Sequence, residues 1–405
     1  MFLELFHSTP LAIADLILLL AAAQGLFLAV LIFHKHGKLF ANRFLGAMIF
    51  VYSAVLVHLF LDELGYSITF PHFPLLIIGV GFLILPLHFL YAKYLVRNVA
   101  AMRKKDWLHF LPFIIYECYR LPTFFQTDEE LSALYSNLEM RGLPFDFVLY
   151  NWAIILQAFV YILLTIFLLK RHARHLKDVF SSLDKIKLDW LRNITYLAMG
   201  VILVFGIENT LLLFGFNLSN YFDLSSVLAA VYVYALGYLG LFKSEVFTAP
   251  AVANSLSQLP ALGYHNEQVQ EASQQKPPKY EKSGLSDESA KEYLHQLLEL
   301  MKSKEPYTKS ELTLNQLAEM LDISPHNLSE VINTQLHQNF FDFVNEYRLE
   351  KVKKDLADPQ KQNLKVLAIA FDAGFNSKSS FNALFKKRTN LTPSEYRRQL
   401  PRQPF

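Results

Sequence analysis

Seven apolar stretches dominate the chain as far as residue 245, and each is long enough, at ~17–25 residues, to cross a lipid bilayer as a helix. They are Leu11–Phe33, Phe44–Leu61, Pro74–Val96, Trp107–Phe125, Phe147–Leu169, Ile194–Phe216 and Tyr221–Phe242. Inside hydrocarbon every backbone N–H and C=O needs a partner within its own segment, so such stretches are expected to be α-helical. The fourth is the least regular, because Pro112, Glu117, Arg120 and Pro122 interrupt it. Composition agrees with this concentration. At 53% hydrophobic residues, with 35 Phe, the chain is too apolar for an ordinary soluble domain, yet 18% charged residues exclude a wholly buried one. Both hold only if one part of the chain is membrane-embedded and the other is polar.

The connecting loops carry an orientation signal. Lys35, Lys38 and Arg43 lie in or beside the first loop, and Arg97, Arg103, Lys104 and Lys105 the third. The fifth holds Lys170, Arg171, Arg174, Lys177, Lys185, Lys187 and Arg192. The second (Asp62, Glu63) and sixth (Asn217–Asn220) have no Lys or Arg, and the fourth sets Arg141 against Asp128, Glu129, Glu130, Glu139 and Asp146. Basic loops stay cytoplasmic, so this alternation predicts a multi-pass protein of the cytoplasmic (inner) membrane. The N-terminus is then outside, and residue 243 onward is in the cytoplasm. The start lacks a basic stretch followed by a small-residue cleavage site, so no removable signal peptide is expected. Cys118 is the only cysteine, which excludes an intramolecular disulfide, a Cys zinc cluster and a CxxC redox motif.

Polar residues within spans are costly and therefore informative. Asp15, Glu117, Arg120, Asn151, Glu208, Asn209 and Asp223 fall, with His58, in the outer halves of their predicted helices. One reading is a sensing pocket that admits a small polar ligand. The other is interhelical hydrogen bonding, with Glu117 or Glu208 paired to Arg120. His58 and Asp62 share an i,i+4 face, but no third ligand is placed by spacing, so neither a metal nor another cofactor is expected. In the fifth loop Leu176, Val179, Phe180, Leu183 and Ile186 form an apolar face opposite Lys177, Asp178, Lys185 and Lys187. An extension of the fifth span, a helix lying on an anionic leaflet and a contact with the C-terminal domain all fit that pattern.

Residues 246–284 lose helical periodicity and are rich in Pro, Ser, Gln and Ala. They read as a flexible linker whose coil dimensions, about 5–6 Å × √n, give a reach of roughly 30–35 Å. Beyond it, residues 285–400 read as a polar helical domain. Ser286–Lys302 is predicted to be a helix with an apolar face. Thr313 and Gln316 form a capping box ahead of Leu314–Leu321, and Ser324-Pro325 caps a helix to about Leu336. Phe341–Leu356 is a further helix. Then Val366, Ile369, Ala370, Ala373 and Phe375 keep a helical period that Gly374 ends. Asn376-Ser377 caps a helix from about Lys378 to Arg388, and Thr392-Pro393-Ser394-Glu395 opens another. Two pairs of short helices, about 313–336 and 365–389, are thus expected to be helix-turn-helix motifs.

The run IAFDAGFNSKSSFNALFKKRTNLTPSEYR resembles the second helix-turn-helix of AraC/XylS-type transcription regulators, whose signature reads roughly I-A-x-x-x-G-F-x-S-x-S-x-F-x-x-x-F-K-K-x-x-G-x-T-P-x-x-Y-R. LTLNQLAEMLDISPHNLSEVINTQL resembles the first. Asn390 and His337 stand where that family has Gly; Asn tolerates positive φ, and His337 bears on the geometry of its corner. The resemblance covers about Ser286–Leu400 and none of the membrane half. It implies a domain of seven helices whose two recognition helices enter successive major grooves ~34 Å apart. The residues placed towards DNA are then Pro325, His326, Asn327, Ser329, Glu330 and Asn333 in the first motif, and Ser377, Lys378, Ser379, Asn382 and Lys386 in the second. Lys386, Lys387 and Arg388, with Arg397 and Arg398, suit phosphate contacts, which position without specifying. Phe340, Phe341, Phe371, Phe375, Phe381 and Phe385 are expected in the core.

The expected fold is all-α: a seven-helix transmembrane bundle (1–245), a flexible linker and an AraC-type double helix-turn-helix domain. The expected function is that of a membrane-bound one-component transcription regulator acting on double-stranded DNA, its spans sensing a small-molecule or membrane signal or serving only as an anchor. A monomer suffices to bind, and direct repeats of a site would suggest a homodimer on DNA. A seven-helix membrane enzyme with a regulatory tail is the alternative, but G-x-S-x-G, H-E-x-x-H and a glycine-rich phosphate loop are all missing. A transporter would favour an internal repeat, and none is visible.

Overall fold

The computed structural model describes residues 13–35, 39–97, 101–141, 145–184, 186–216, 224–244 and 285–400. Among them the regular structure is helical, and the only extended pairing is an isolated antiparallel bridge between Phe180 and Thr313. The chain divides into two compact units: Met1–Lys170 with Leu188–Pro250, and Arg171–Lys187 with Ala251–Phe405.

In the first unit the helices are α1 (Ile13–Lys35), α2 (Phe40–Glu63), α3 (Tyr66–Thr69), α4 (Gly81–Arg97), α5 (Leu111–Arg120) and α6 (Asp128–Arg141). They are followed by α7 (Phe145–Val179), whose residues from Arg171 onward belong to the second unit, and by α8 (Asp189–Leu213) and α9 (Leu224–Ser244). Five segments among the described residues are long and apolar enough to cross a membrane: Leu16–His34, Phe40–Asp62, Pro74–Arg97, Phe145–Val179 and Asp189–Leu213. Leu224–Gly240 is a shorter apolar helix, and the start of that expected span, Tyr221–Asp223, lies outside the described residues. The expected span Trp107–Phe125 is helical but is not one α-helix. It is a 3-10 turn at Lys104–Phe110, then α5, then a second 3-10 turn at Leu121–Phe125. Pro112 and Pro122, each at the start of a new piece, remove the amide donors that a continuous ladder would use.

Large apolar side chains cover the outsides of these helices: Leu20, Phe27, Leu156 and Phe167 are all more than 60% exposed. A helix apolar on every side is matched to an apolar surround. Leu45, Met48, Ile49, Leu56 and Leu90 are buried between the helices, and small and polar residues set particular contacts among them. A Cβ on Gly25 of α1 would overlap the hydroxyl of Ser53 in α2, so glycine sets that close approach. Buried His88 bonds on both ring nitrogens, to Thr195 of α8 at 3.0 Å and to Tyr232 of α9 at 2.9 Å, and so links α4, α8 and α9.

The second unit contains α10 (Asp287–Ser303), α11 (Leu314–Met320), α12 (Pro325–Gln335), α13 (Phe340–Ala357), α14 (Val366–Asp372), α15 (Lys378–Thr389) and α16 (Pro393–Gln399). Both expected capping boxes form, Thr313 with Gln316 and Thr392 with Glu395. Ser286, Ser324 and Ser377 accept from the amides of Ser289, Asn327 and Ser380. Around α13 to α15, a core of Leu349, Val352, Leu356, Ile369, Ala370, Ala373, Phe375, Phe381 and Phe385 closes. Phe340 is also buried, but Phe341 is half-buried and Phe371 is 45% exposed, contrary to expectation. Phe371 follows Ala370 and precedes the helix end at Asp372, so the face towards α13 is already filled by Ile369, Ala370 and Ala373.

Backbone geometry explains three positions. Gly374 has φ +101°, and a Cβ there would run into the carbonyl of Tyr307 and lie 2.9 Å from Arg348 Nε. Asn390 (φ 59°) and His337 (φ 52°) both take the left-handed conformation where glycine would cost least. Gly374→Ala should therefore destabilise the second unit by about 2–4 kcal/mol. His337→Gly should stabilise it by about 1 kcal/mol. Hydrogen exchange of α11–α15 across a urea series measures both, and a neutral Gly374→Ala would contradict the packing described.

Candidate nucleic-acid interface

The first helix-turn-helix is α11 and α12. The chain turns between them at Asp322, whose φ of 56° is left-handed. Helix α12 buries Leu328, Val331 and Ile332, which leaves its polar positions on the other side. Pro325 occupies the first turn, where no amide donor is required. His326 lies 3.9 Å from Glu330 one turn on, and Asn333 donates to Ser329 at 3.3 Å. Pro325, His326, Asn327, Ser329 and Glu330 are half-buried and Asn333 is exposed. All six sequence-derived positions therefore share one helix.

The second motif is α14 and α15, joined by the Gly374 turn. Phe381 and Phe385 bury one side of α15. Ser377 is the N-cap, and its hydroxyl also shares a 2.8 Å hydrogen bond with that of Ser379. Lys378, Asn382 and Lys386 recur every four residues and form one exposed row, with Ser379, Lys387 and Arg388 also exposed. Arg388 lies 3.8 Å from Asp342 on α13. That row can offer amide and ammonium donors to base edges in a groove, and the cationic end can meet phosphate.

Arg397 and Arg398 separate. Arg397 donates to the carbonyls of Leu364 at 2.7 Å, Lys361 at 3.0 Å and Gln362, so it holds the loop before α14. Arg398 is exposed. The sequence reading also passed over Arg348 in α13, which is 1% exposed. It donates to the carbonyls of Tyr307 (2.7 Å), Lys309 (2.8 Å) and Ser310 (3.3 Å), and burial pulls its guanidinium down to about 10. A charged residue on the inner face of α13, between Asn345 and Val352, was the available signal.

In the first unit a cavity of about 700 Å³ is lined by three of the sequence-derived pocket residues, His58, Arg120 and Asn151, together with Tyr116, Tyr150 and Ser226. Arg120 donates to Leu75 O at 2.9 Å and lies 3.7 Å from Glu117. Its guanidinium stacks over the rings of Tyr116 and Phe124. The remaining candidates are engaged elsewhere: Glu208 accepts from the Ser225 amide at 3.2 Å, and Asn209 donates to Phe205 O at 2.8 Å. Asp223 and the side chain of Asp15 lie outside the described residues. Among the described residues no group of His, Cys, Asp and Glu could hold a metal ion.

Residues 317–399 match a family model described as a helix-turn-helix domain, and this segment is a helix-turn-helix domain of the AraC type. The chain is 38% identical over 90 residues to the uncharacterized HTH-type transcriptional regulator YijO of Escherichia coli K12, covering 22% of this chain and 31% of that protein. It is 32% identical over 91 residues to the uncharacterized HTH-type transcriptional regulator YtdP of Bacillus subtilis 168, covering 22% and 11%. The chain thus spans less than a third of the length of these curated relatives. No solved structure matches it.

Arg397→Ala should cost about 1.5–3 kcal/mol of stability in the second unit, the loss of charge-assisted bonds to carbonyls. Arg398→Ala should leave stability within about 0.5 kcal/mol. Urea denaturation of the two variants separates them, and equal effects would contradict the geometry.

Proposed function

We propose that the chain is a membrane-anchored transcription regulator that reads double-stranded DNA with α12 and α15. The observation that carries this reading is an AraC-type helix-turn-helix domain, with an exposed Lys378–Asn382–Lys386 row, in the same chain as five helices long and apolar enough to cross a membrane. In this reading Asn382 and Lys378 meet base edges, with asparagine suited to adenine and lysine to guanine. Pro325, His326, Asn327, Ser329, Glu330 and Asn333 face the neighbouring groove. Lys386, Lys387, Arg388 and Arg398 hold phosphate, while Arg397 serves the fold. Ser377 and Ser379 begin the second reading helix at the groove edge.

The alternation of basic and acidic loops supports a cytoplasmic second unit and an external N-terminus. The cavity around Arg120 and Asn151 is the receptor for the signal. Its mixed lining of aliphatic, aromatic and a few polar groups suits a small amphipathic molecule with a hydrogen-bond acceptor. Binding there regulates transcription to the extent that the ligand prefers one of two packings of the bundle.

Replacing Lys378 and Asn382 by Ala should relax sequence preference by about 1–3 kcal/mol per lost base contact. Replacing Lys387 and Arg388 should weaken binding to every duplex alike and flatten its dependence on salt. Titration of both double variants of the full chain against specific and scrambled duplexes, at several salt concentrations, tests the reading. Equal affinity of the unsubstituted protein for all duplexes would sink it.

A further inference from the structure

Residues Arg171–Lys187 lie far upstream of the reading helices in sequence, yet they belong to the same compact unit. Leu176, Val179, Leu183 and Ile186 are all buried. Phe180 pairs with Thr313 at the start of α11. Ser181 is 1% exposed and bonded on every side. Its amide and hydroxyl both donate to Leu312 O, at 3.2 and 2.7 Å. Its carbonyl accepts from Asn345 at 2.9 Å and from Arg348 at 3.1 Å, and its hydroxyl accepts from Arg348 at 3.1 Å. One residue on, the Ser182 hydroxyl donates to Asn376 Oδ1 at 2.9 Å, and the Ser380 hydroxyl donates to Asp184.

These bonds fall on three separate parts of the DNA-reading domain. Leu312 and Thr313 open the first motif, Asn345 and Arg348 belong to the connecting helix α13, and Asn376 and Ser380 are the turn and first turn of the second motif. Helix α13 packs against α12 of the first motif and against α14 of the second, and so connects them. A segment bonded to both motifs and to the helix between them therefore restrains their mutual angle. That angle matters for a protein with two reading helices, because the separation of sub-sites along DNA mirrors the separation of the helices that read them.

We infer that Phe180–Asp184 is a specificity-determining brace: it holds α12 and α15 at one mutual orientation and so fixes the spacing of the two DNA sub-sites the protein accepts. This rests on the DNA-reading proposal. Ser182 and Asp184 act by positioning α15 and touch no base. The reading row Lys378, Asn382 and Lys386 stays exposed beside them, so the brace leaves the reading face open. Because the segment sits in the chain between α7 and α8, a rearrangement of those helices has a covalent route to the reading helices.

The test uses the full chain in detergent micelles and a pool of randomised duplexes, from which bound DNA is selected and sequenced. The unsubstituted protein should enrich two sub-sites at a single spacing. The variant Ser182→Ala/Asp184→Ala should enrich the same sub-sites at spacings that differ by a base pair or more, and should bind the original spacing about five- to tenfold more weakly, the loss expected for one or two hydrogen bonds. Asp184→Asn keeps an acceptor for Ser380 and should restore the single spacing. Hydrogen exchange of α11–α15 checks that the double variant is folded, and if it is not, Ser182→Ala alone gives the same comparison. Unchanged spacing and affinity in the folded variant would overturn the brace. So would tighter binding, which would make the segment an inhibitor, or failure of Asp184→Asn to rescue. If the unsubstituted protein enriches no sub-site, the DNA-reading proposal itself fails, an outcome distinct from loss of the brace alone.

Discussion

A guanidinium held by backbone carbonyls organises the second unit. Arg348 is shut away from water, and its donors meet the oxygens of Tyr307, Lys309, Ser310, Ser181 and Asn345. Removing a cation from water is expensive, and partial charges on carbonyls offset that cost only when several converge on the donor fork. Burial correspondingly weakens the hold of Arg348 on its proton, although it stays charged at neutral pH. The backbone carbonyls come from a short 3-10 turn and from loops, and Asn345 adds its side-chain oxygen, so the arginine supplies partners that those short segments lack. Gly374 belongs to the same arrangement, since only a residue without a side chain lets the second motif's turn come so near Tyr307 and Arg348. One side chain thus ties the start of the first motif, the connecting helix and the upstream serine into a single polar centre.

The first unit solves the opposite problem. Its helices carry large apolar side chains on their outsides as well as between them, so shape and a few polar groups mark which faces meet. Gly25 against Ser53 and the His88–Thr195–Tyr232 link are the two devices most plainly at work. Near its loops, Asp106 binds Lys93 and Tyr94 and so fastens the turn after α4 to that helix.

Local signals were the legible ones. Capping boxes at Thr313 and Thr392, the serine caps and the glycine turn depend on residues three or four apart, and the sequence displays them directly. The helix-turn-helix pair and the long apolar helices followed from the same short-range rules. What escaped was set by distant partners. Arg397 looked like one more surface cation because the loop it holds lies more than thirty residues away. Phe371 looked like core by its chemistry, but whether a phenylalanine on a two-turn helix is covered depends on how much of the neighbouring face is taken. The stretch around Arg120 kept its apolar composition and lost its α-helical continuity to two prolines. Ser181 carried no signal at all: a serine in a basic loop gives no hint that Arg348 and Asn345 close over it.

The order of synthesis adds a consequence to the placement of that upstream segment. A ribosome delivers Phe180, Ser181 and Ser182 well before Leu312, Thr313, Asn345, Arg348 and Asn376, so for part of its making every copy of the chain carries this segment without its later-made partners. A product that stops ahead of α11 never acquires those partners. Truncated products should therefore be faster prey for quality-control proteases than their length alone would suggest.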